Sequence, residues 1–460
     1  MPARARTRRS RDGGSGAEVV PEVVVAGRAP IAGRLTQVEI GVDGTGRIVR
    51  IARNVRGGER LDYGDLVLLP SATDLHVHFR EPTQGERFED LARGTEQAAL
   101  GGVGLVGDMP NTDPPMDSAD RLEEKARRSR GRLAVDVLLY GAAQPGGRIA
   151  EMSAYAGAFK LYLSPTTAVG EVPEPGEIRP VLEAVARTGL ALSVHAEDPS
   201  RFRTTDPEPS SLAEWDLARP IEAEARGIDR LLPSPPALRL HIAHVTDAAQ
   251  VARLREQGLS FEATPHHLLL STLAGPDARW KVNPPLRPEA ARSALWEEFA
   301  AGRVPILASD HAPHPAPEKE GPFARAPSGV PGVATMLPLM LEQARTGRIP
   351  LTTLLAAACD RPARWFGVPM GRIAVGHRAD LLVVDFRRHR EIRARDLAAS
   401  VGWSPFEGRG AVFPQHHLRA GVPIVDEGEY VGGRSGEIVR PEYAPTIGQT
   451  NGPRRYPEPG

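Results

Sequence analysis

Cysteine is almost missing from this chain. Cys359 is its single thiol, which excludes an intrachain disulfide and a cysteine-rich zinc site and fits a reduced, cytoplasmic setting. Within the helix-like run LLAAACDRPA it reads as a packed structural residue rather than a nucleophile. Net charge is equally scarce. With 57 basic and 58 acidic side chains the formal charge is -1, so the excess of Lys and Arg that neutralises phosphates is lacking and nucleic acid is not an expected partner. No apolar run approaches ~18 residues, which removes a membrane-spanning helix. The Arg-rich opening MPARARTRRSRDGGSG is followed by no apolar segment. It therefore reads as a disordered tail rather than a secretory signal, with an organelle transit peptide as the lesser alternative. Residues 441–460 read as a second, flexible tail. No internal repeat stands out between them. Small-molecule chemistry is the class left standing.

What is present is a long alternation of apolar and amphipathic segments. Residues from about Val19 to Leu69 carry short β-type runs, VVVAG, QVEIGVD and RIVRIA, broken by Gly and Asp turns. An apolar run ending in a histidine pair follows, and then seven further strand-like runs between Gly104 and Ser309, several separated by helical stretches such as IRPVLEAVARTG and EAARSALWEEFAAG. About eight βα units predict a closed parallel (β/α)8 barrel, with an open doubly wound sheet as the competitor. The later β-type runs RADLLVVDF and GVPIVDEGEYVGG predict that both ends of the chain join in one flanking β-sandwich. The expected division is a tail at 1–18, sandwich at 19–69, barrel at 70–370, sandwich again at 371–440, and a tail at 441–460.

The histidine pair is His76 and His78 in LVLLPSATDLHVHFR. Residues two apart on a strand share a face, so both imidazoles point one way, as a pair of metal ligands does. Lys160 in AFKLY, His195 in SVHAE, His244 in HIAHV and Asp310 in ILASD stand toward the C-terminal ends of other expected strands. That is the barrel face where active sites lie. Four neutral imidazoles and a carboxylate at one mouth suit a pair of divalent cations. An ammonium cannot ligate a cation, since it has three donors and no lone pair. Lys160 would join only as a carboxylated, negatively charged side chain; otherwise it snorkels or pairs with an acid.

The segments DLHVHFREP, DMPNTDPP, AFKLYLSPT, SVHAED, HIAHV, EATPHHLLLS, KVNPPLR, SDHAPH and WSPFEG, in this order, resemble the dihydroorotases of the amidohydrolase superfamily. The resemblance covers essentially the whole chain between the tails. It implies a binuclear zinc centre, with two Zn2+ bridged by carboxylated Lys160 and hydroxide. His76, His78 and Asp310 would hold the first ion and His195 and His244 the second. It implies reversible interconversion of dihydroorotate and N-carbamoyl-aspartate in pyrimidine synthesis, with Asp310 acting first as general base and then as acid. Arg80, directly after the pair, would meet the substrate carboxylate with its two-pronged guanidinium. Asn111, Asn283 and His314 would join it, with His78 and the backbone of Pro331 and Gly332. The competing structural readings pair Arg80 with Glu81 or Glu86, use Asn111 as a turn cap, and leave His314 on the surface. A homo-oligomer is expected, with aspartate transcarbamoylase as a candidate partner. Allantoinase and hydantoinase or dihydropyrimidinase activity are the functional alternatives, and a non-catalytic partner of the transcarbamoylase is the remaining one. The pattern departs from the family at Thr83, where glycine is usual, and at Ala334, where a glutamate commonly lies beneath the substrate loop. Ala243 replaces a cysteine that helps hold an additional zinc in some relatives, so Glu262 alone is not expected to build that site.

Overall fold

The computed structural model describes residues 20–442, apart from 32, 83–88, 168, 170–171, 276 and 399. Both tails beyond Glu442 and before Val20, and also Thr83 and Glu86, lie outside the described residues. Eighteen strands are described. The first four are β1 (Val23–Ile31), β2 (Arg34–Val42), β3 (Ile48–Ala52) and β4 (Glu59–Pro70). The barrel strands are β5 (Ala72–Val77), β6 (Val103–Asp108), β7 (Asp136–Ala142), β8 (Ala158–Tyr162), β9 (Ala191–His195), β10 (Arg239–Ile242), β11 (Ser260–Ala263) and β12 (Ile306–Leu307). After them come β13 (Leu381–Val384), β14 (Arg390–Glu391), β15 (Gly410–Ala411), β16 (His416–Arg419), β17 (Val422–Asp426) and β18 (Glu429–Tyr430).

Strands β5 to β12 pair in sequential order, every interstrand ladder parallel. Helices cover the outside, so these strands are apolar on both faces and most are buried at every residue. One covering helix, Pro175–Thr188, shows how local sequence sets its bounds. A Glu174/Glu177 capping box starts it, and Gly189 at φ 73° ends it in the left-handed conformation that glycine adopts without a side-chain clash. The ring closes through the backbone of the histidine pair. The N–H of His78 donates to the carbonyl of His311 at 2.7 Å, and that of His311 to the carbonyl of His76 at 3.3 Å. The closed barrel, not the open sheet, is therefore the architecture.

The second large sheet is built from both ends of the chain, in the order β18-β17-β16-β13-β4-β1-β2-β3. Strand β13 pairs antiparallel with the end of β4, joining the two chain regions. The apolar run that precedes the histidines is thus two strands in two sheets: Val67 to Pro70 pairs with β13, and after Ser71 the chain enters the barrel at Ala72. Charged groups fasten this sheet to the opposite end of the barrel. Asp136, at the start of β7, accepts from Arg419 at 2.6 Å and from the N–H of Glu437 at 2.9 Å, and also bonds Arg378, which in turn holds Asp380. Cys359 is buried in a π-helical turn between two short helices, its thiol pushed up by burial. That is the structural role expected of it.

Candidate metal centre

The eight barrel strands bring the expected polar residues to one mouth. His76 is on β5 with His78 just beyond it, Lys160 is mid-strand in β8, and His195 is the last residue of β9. His244 lies two residues past β10 and Asp310 three past β12, so these two stand on the turns rather than at the strand ends expected. Arg80, His244 and Asp310 have φ of 63°, 39° and 46°. A non-glycine residue held in the left-handed region costs about 1–3 kcal/mol and persists where surrounding structure over-determines it. Three such residues around one cleft mark it as a place where side-chain direction outweighs backbone comfort.

The imidazoles are oriented from outside. His76 Nδ1 lies 2.6 Å from Glu262 Oε1, His78 Nδ1 2.6 Å from Asn111 Oδ1, and His195 Nε2 2.8 Å from Glu197 Oε2. An oxygen facing one ring nitrogen places the proton there and leaves a lone pair on the other. Those inner nitrogens converge. His76 Nε2 and His78 Nε2 stand 3.2 and 3.1 Å from Asp310 Oδ1, and His195 Nδ1 stands 3.0 Å from His244 Nε2. Ligand atoms of His76, His244 and Asp310 all lie within 4.8 Å of one another. Burial, reinforced by the Lys160 charge, pulls His76 down to about 4. Burial and then the Arg80 charge hold His78 well below its usual value; burial and then His195 do the same to His244, and burial lowers His195. All four rings are neutral near pH 7, so the short contacts to Asp310 are not ion pairs. Inward lone pairs on neutral rings around a carboxylate fit a divalent metal.

Lys160 is 1% exposed, with Nζ 3.4 Å from His76 Nε2. No carboxylate lies within ion-pair distance of it among the described residues, and burial lowers its pKa to about 8. The salt-bridge and snorkelling alternatives both fail here. Beyond the candidate ligands, burial alone would raise Glu197, but Arg219, at 2.5 Å, and His195 hold it well below the usual carboxylate range. Glu262 is likewise held down against its burial by His76 and His241, with its second oxygen 3.0 Å from His241 Nε2. Both oxygens of Glu262 are thus engaged. Its role as a buried anchor for His76 was not read from the sequence, although Glu197, two residues after His195, carried a signal in SVHAED.

The cleft above is lined by His76, His78, Arg80, Asn111, Tyr162, Thr166, Thr167, His195, His244, Asn283, Asp310, Ala312, Ser328 and Gly329. Arg80 is 2% exposed. One guanidinium nitrogen donates to the Asn111 carbonyl at 3.2 Å, Nε has no partner, and no carboxylate pairs with it among the described residues. The Glu81 alternative does not hold, because Glu81 is bound to Arg132 at 2.5 Å. Asn111 caps no turn with its side chain: it holds His78 and donates to the Thr167 carbonyl at 2.9 Å. Asn283 Oδ1 accepts from Trp215 and Ser328, each at 3.2 Å. His314 is buried rather than on the surface and lies behind the lining, its Nε2 3.1 Å from the Ser328 carbonyl. Pro331 and Gly332 come two and three residues after Gly329. The Gly332 N–H donates to His311 Nδ1 at 3.0 Å, so it is not free for a ring contact. Ala312, Ser328 and Gly329, which the sequence did not single out, join the lining. Sequence reading missed Tyr162, whose buried hydroxyl has no partner among the described residues. Ala334 is buried against Gly101 at the end of helix Leu91–Leu100.

Known proteins of the same design were found. A family model described as "Dihydro-orotase-like" matches residues 65–164. The chain is 36% identical over 384 residues to a dihydroorotase of Halobacterium salinarum, covering 82% of this chain and 90% of that protein. It is also 33% identical over 449 residues to an allantoinase of Rubrobacter xylanophilus, covering 92% and 98%. Among solved structures, L-hydantoinase from Arthrobacter aurescens superposes with a TM-score of 0.85 at 26% identity, covering 92% of this chain and 100% of that one.

Proposed function

The chain belongs to the dihydroorotase family of cyclic amidohydrolases, and from that premise we propose that it interconverts (S)-dihydroorotate and N-carbamoyl-L-aspartate in pyrimidine biosynthesis. The observation that carries the choice of substrate is Arg80, a buried guanidinium in the cleft wall with no carboxylate partner among the described residues. Burying an unpaired charge is costly, and a ligand that brings a carboxylate removes that cost. Dihydroorotate has one; allantoin and hydantoin are rings without it.

His76, His78 and Asp310 would hold one zinc ion, and His195 and His244 the other, with carboxylated Lys160 between them. When bound, the ions supply an activated water and a polarised amide carbonyl. Arg80 grips the substrate carboxylate and Asn111 keeps His78 in register. Asp310 takes a proton from the attacking water and returns it to the ring nitrogen as the C–N bond breaks, so that one water is added across the amide. The same groups in reverse close the ring. No helix among the described residues is long and apolar enough to cross a membrane. A cytoplasmic homo-oligomer, with aspartate transcarbamoylase as a candidate partner, belongs to the same proposal.

The allantoinase relative keeps a second reading open: allantoin in place of dihydroorotate on the same centre. Hydrolysis of dihydroorotate, allantoin and hydantoin by the zinc-loaded protein decides between them. Preferred turnover of dihydroorotate is the expected result, and none with metal bound would reject the proposal.

A further inference from the structure

Residues 320–329 supply part of the cleft wall, through Ser328 and Gly329, yet form no regular secondary structure. The carbonyls of such a segment need donors from elsewhere. Two buried lysines provide them. Lys281, 3% exposed, donates to the carbonyls of Phe323 at 2.9 Å, Ala324 at 3.0 Å and Ala326 at 3.0 Å. Lys319, 0% exposed, donates to those of Pro327 at 2.8 Å and Gly329 at 3.0 Å, and to that of Lys281 itself at 3.1 Å. The Gly329 N–H closes the mesh on the Lys281 carbonyl at 2.9 Å. Between these points the Ser328 carbonyl meets His314 Nε2 at 3.1 Å and the Thr167 hydroxyl at 3.3 Å.

Each ammonium has three donors, and each meets three carbonyls. No carboxylate lies within ion-pair distance of either nitrogen among the described residues. The Trp215 ring, 4.3 Å from Lys281 Nζ, adds a cation–π contact. Burial lowers Lys281 to about 8 and Lys319 to about 7, yet three carbonyls around each nitrogen suit the ammonium form. Buried cations without counter-charges are a poor way to stabilise a fold, since apolar side chains of similar size commonly do better. What they do achieve is geometric: each pins carbonyls of one short segment that faces the substrate.

We propose that Lys281 and Lys319 are positioning residues, a pair of ammonium clamps that hold residues 320–329 as the substrate-facing wall and so set substrate affinity, without taking part in bond breaking. The idea rests on the dihydroorotase reading for its substrate, but not for the clamp. The test compares wild type with Lys319→Met and Lys281→Met, both zinc-loaded, by metal content, steady-state kinetics on dihydroorotate and amide hydrogen exchange of 320–329 without ligand. Exchange should accelerate by about tenfold or more in that segment, and KM should rise on the order of tenfold with kcat within about threefold and metal content unchanged. Lys281→Met could fail to fold because it packs on Trp215; Lys319→Met then carries the test alone. Unchanged KM and exchange in a folded variant overturn the proposal, as does loss of metal and kcat with KM intact. If wild type turns over no dihydroorotate, the substrate reading falls while the exchange result still decides whether the lysines clamp the wall.

Discussion

Arg80→Met should make the free protein more stable and the enzyme worse. Among the described residues the buried guanidinium has a single bond, to a neutral carbonyl, and its Nε has no partner; it also adds to the positive field that depresses His78. Burial already lowers its own pKa. An unpaired buried ion carries a penalty of several kcal/mol. Replacing it with an apolar side chain of similar length, and allowing for the lost Asn111 bond, is worth on the order of 2 kcal/mol of stability. The thermal midpoint of metal-free protein should rise by about 2 °C or more. With substrate the sign reverses. A carboxylate left unpaired in a buried site loses about 2–5 kcal/mol, so kcat/KM for dihydroorotate should fall roughly 30- to 5000-fold. Dihydrouracil, the same ring without the carboxylate, is the control: its slow hydrolysis should be little changed. Calorimetry and steady-state kinetics on the two proteins measure both halves. A variant that is less stable than wild type, or that keeps its kcat/KM for dihydroorotate, refutes the assignment of Arg80 as the receptor for the substrate carboxylate.

Four other predictions concern Lys160, Glu262 and Asp136. Carbon dioxide reacts with the neutral amine, and with a pKa of about 8 instead of 10.5 Lys160 has about 300 times more of it at pH 7. Bicarbonate-dependent reconstitution of metal-free protein, at fixed carbon dioxide, should therefore speed up from pH 6.5 to about 8 and then level off, followed by carbon-13 NMR of the carbamate. Lys160→Ala should lose metal and regain part of it with small carboxylic acids; full metal content without them would remove the bridging role. Glu262→Gln should weaken metal binding about 10- to 100-fold in a chelator competition, because the oxygen that orients His76 loses its charge; an unchanged affinity would show that packing alone orients the ring. Asp136→Asn, remote from the cleft, leaves Arg378 and Arg419 without their shared carboxylate. It should cost about 3 kcal/mol in denaturant unfolding while leaving kcat unaltered, and a loss of kcat instead would mean that the sheet-to-barrel junction reaches the site.

Much of this was legible in residue order. Alternation predicts that His76 and His78 share a face, and the repeated strand-then-helix pattern predicts a parallel barrel with its chemistry at one end; local periodicity carries both. The apolar run before the pair was harder. LVLLP and ATDLHV look alike because strands of either sheet are buried, and only pairing with β13 on one side and β6 on the other separates them at Ser71. The wall residues Ser328 and Gly329, by contrast, were not expected from the sequence, and the Gly332 N–H is bound to the His311 side chain. A hydrogen bond from a backbone N–H to a side chain 21 residues away leaves no mark on local composition.

By itself, then, the sequence determined the family, the barrel and the kinds of donor available to a metal, because those follow from residue type and short-range period. Tertiary structure alone decided which nitrogen of His76, His78 and His195 faces inward, that Glu262, Asn111 and Glu197 set those directions, and that Arg80 is buried with no carboxylate partner among the described residues. Each depends on which oxygen lies within about 3 Å of a given nitrogen, and that is settled only when strands distant in the chain close on one another.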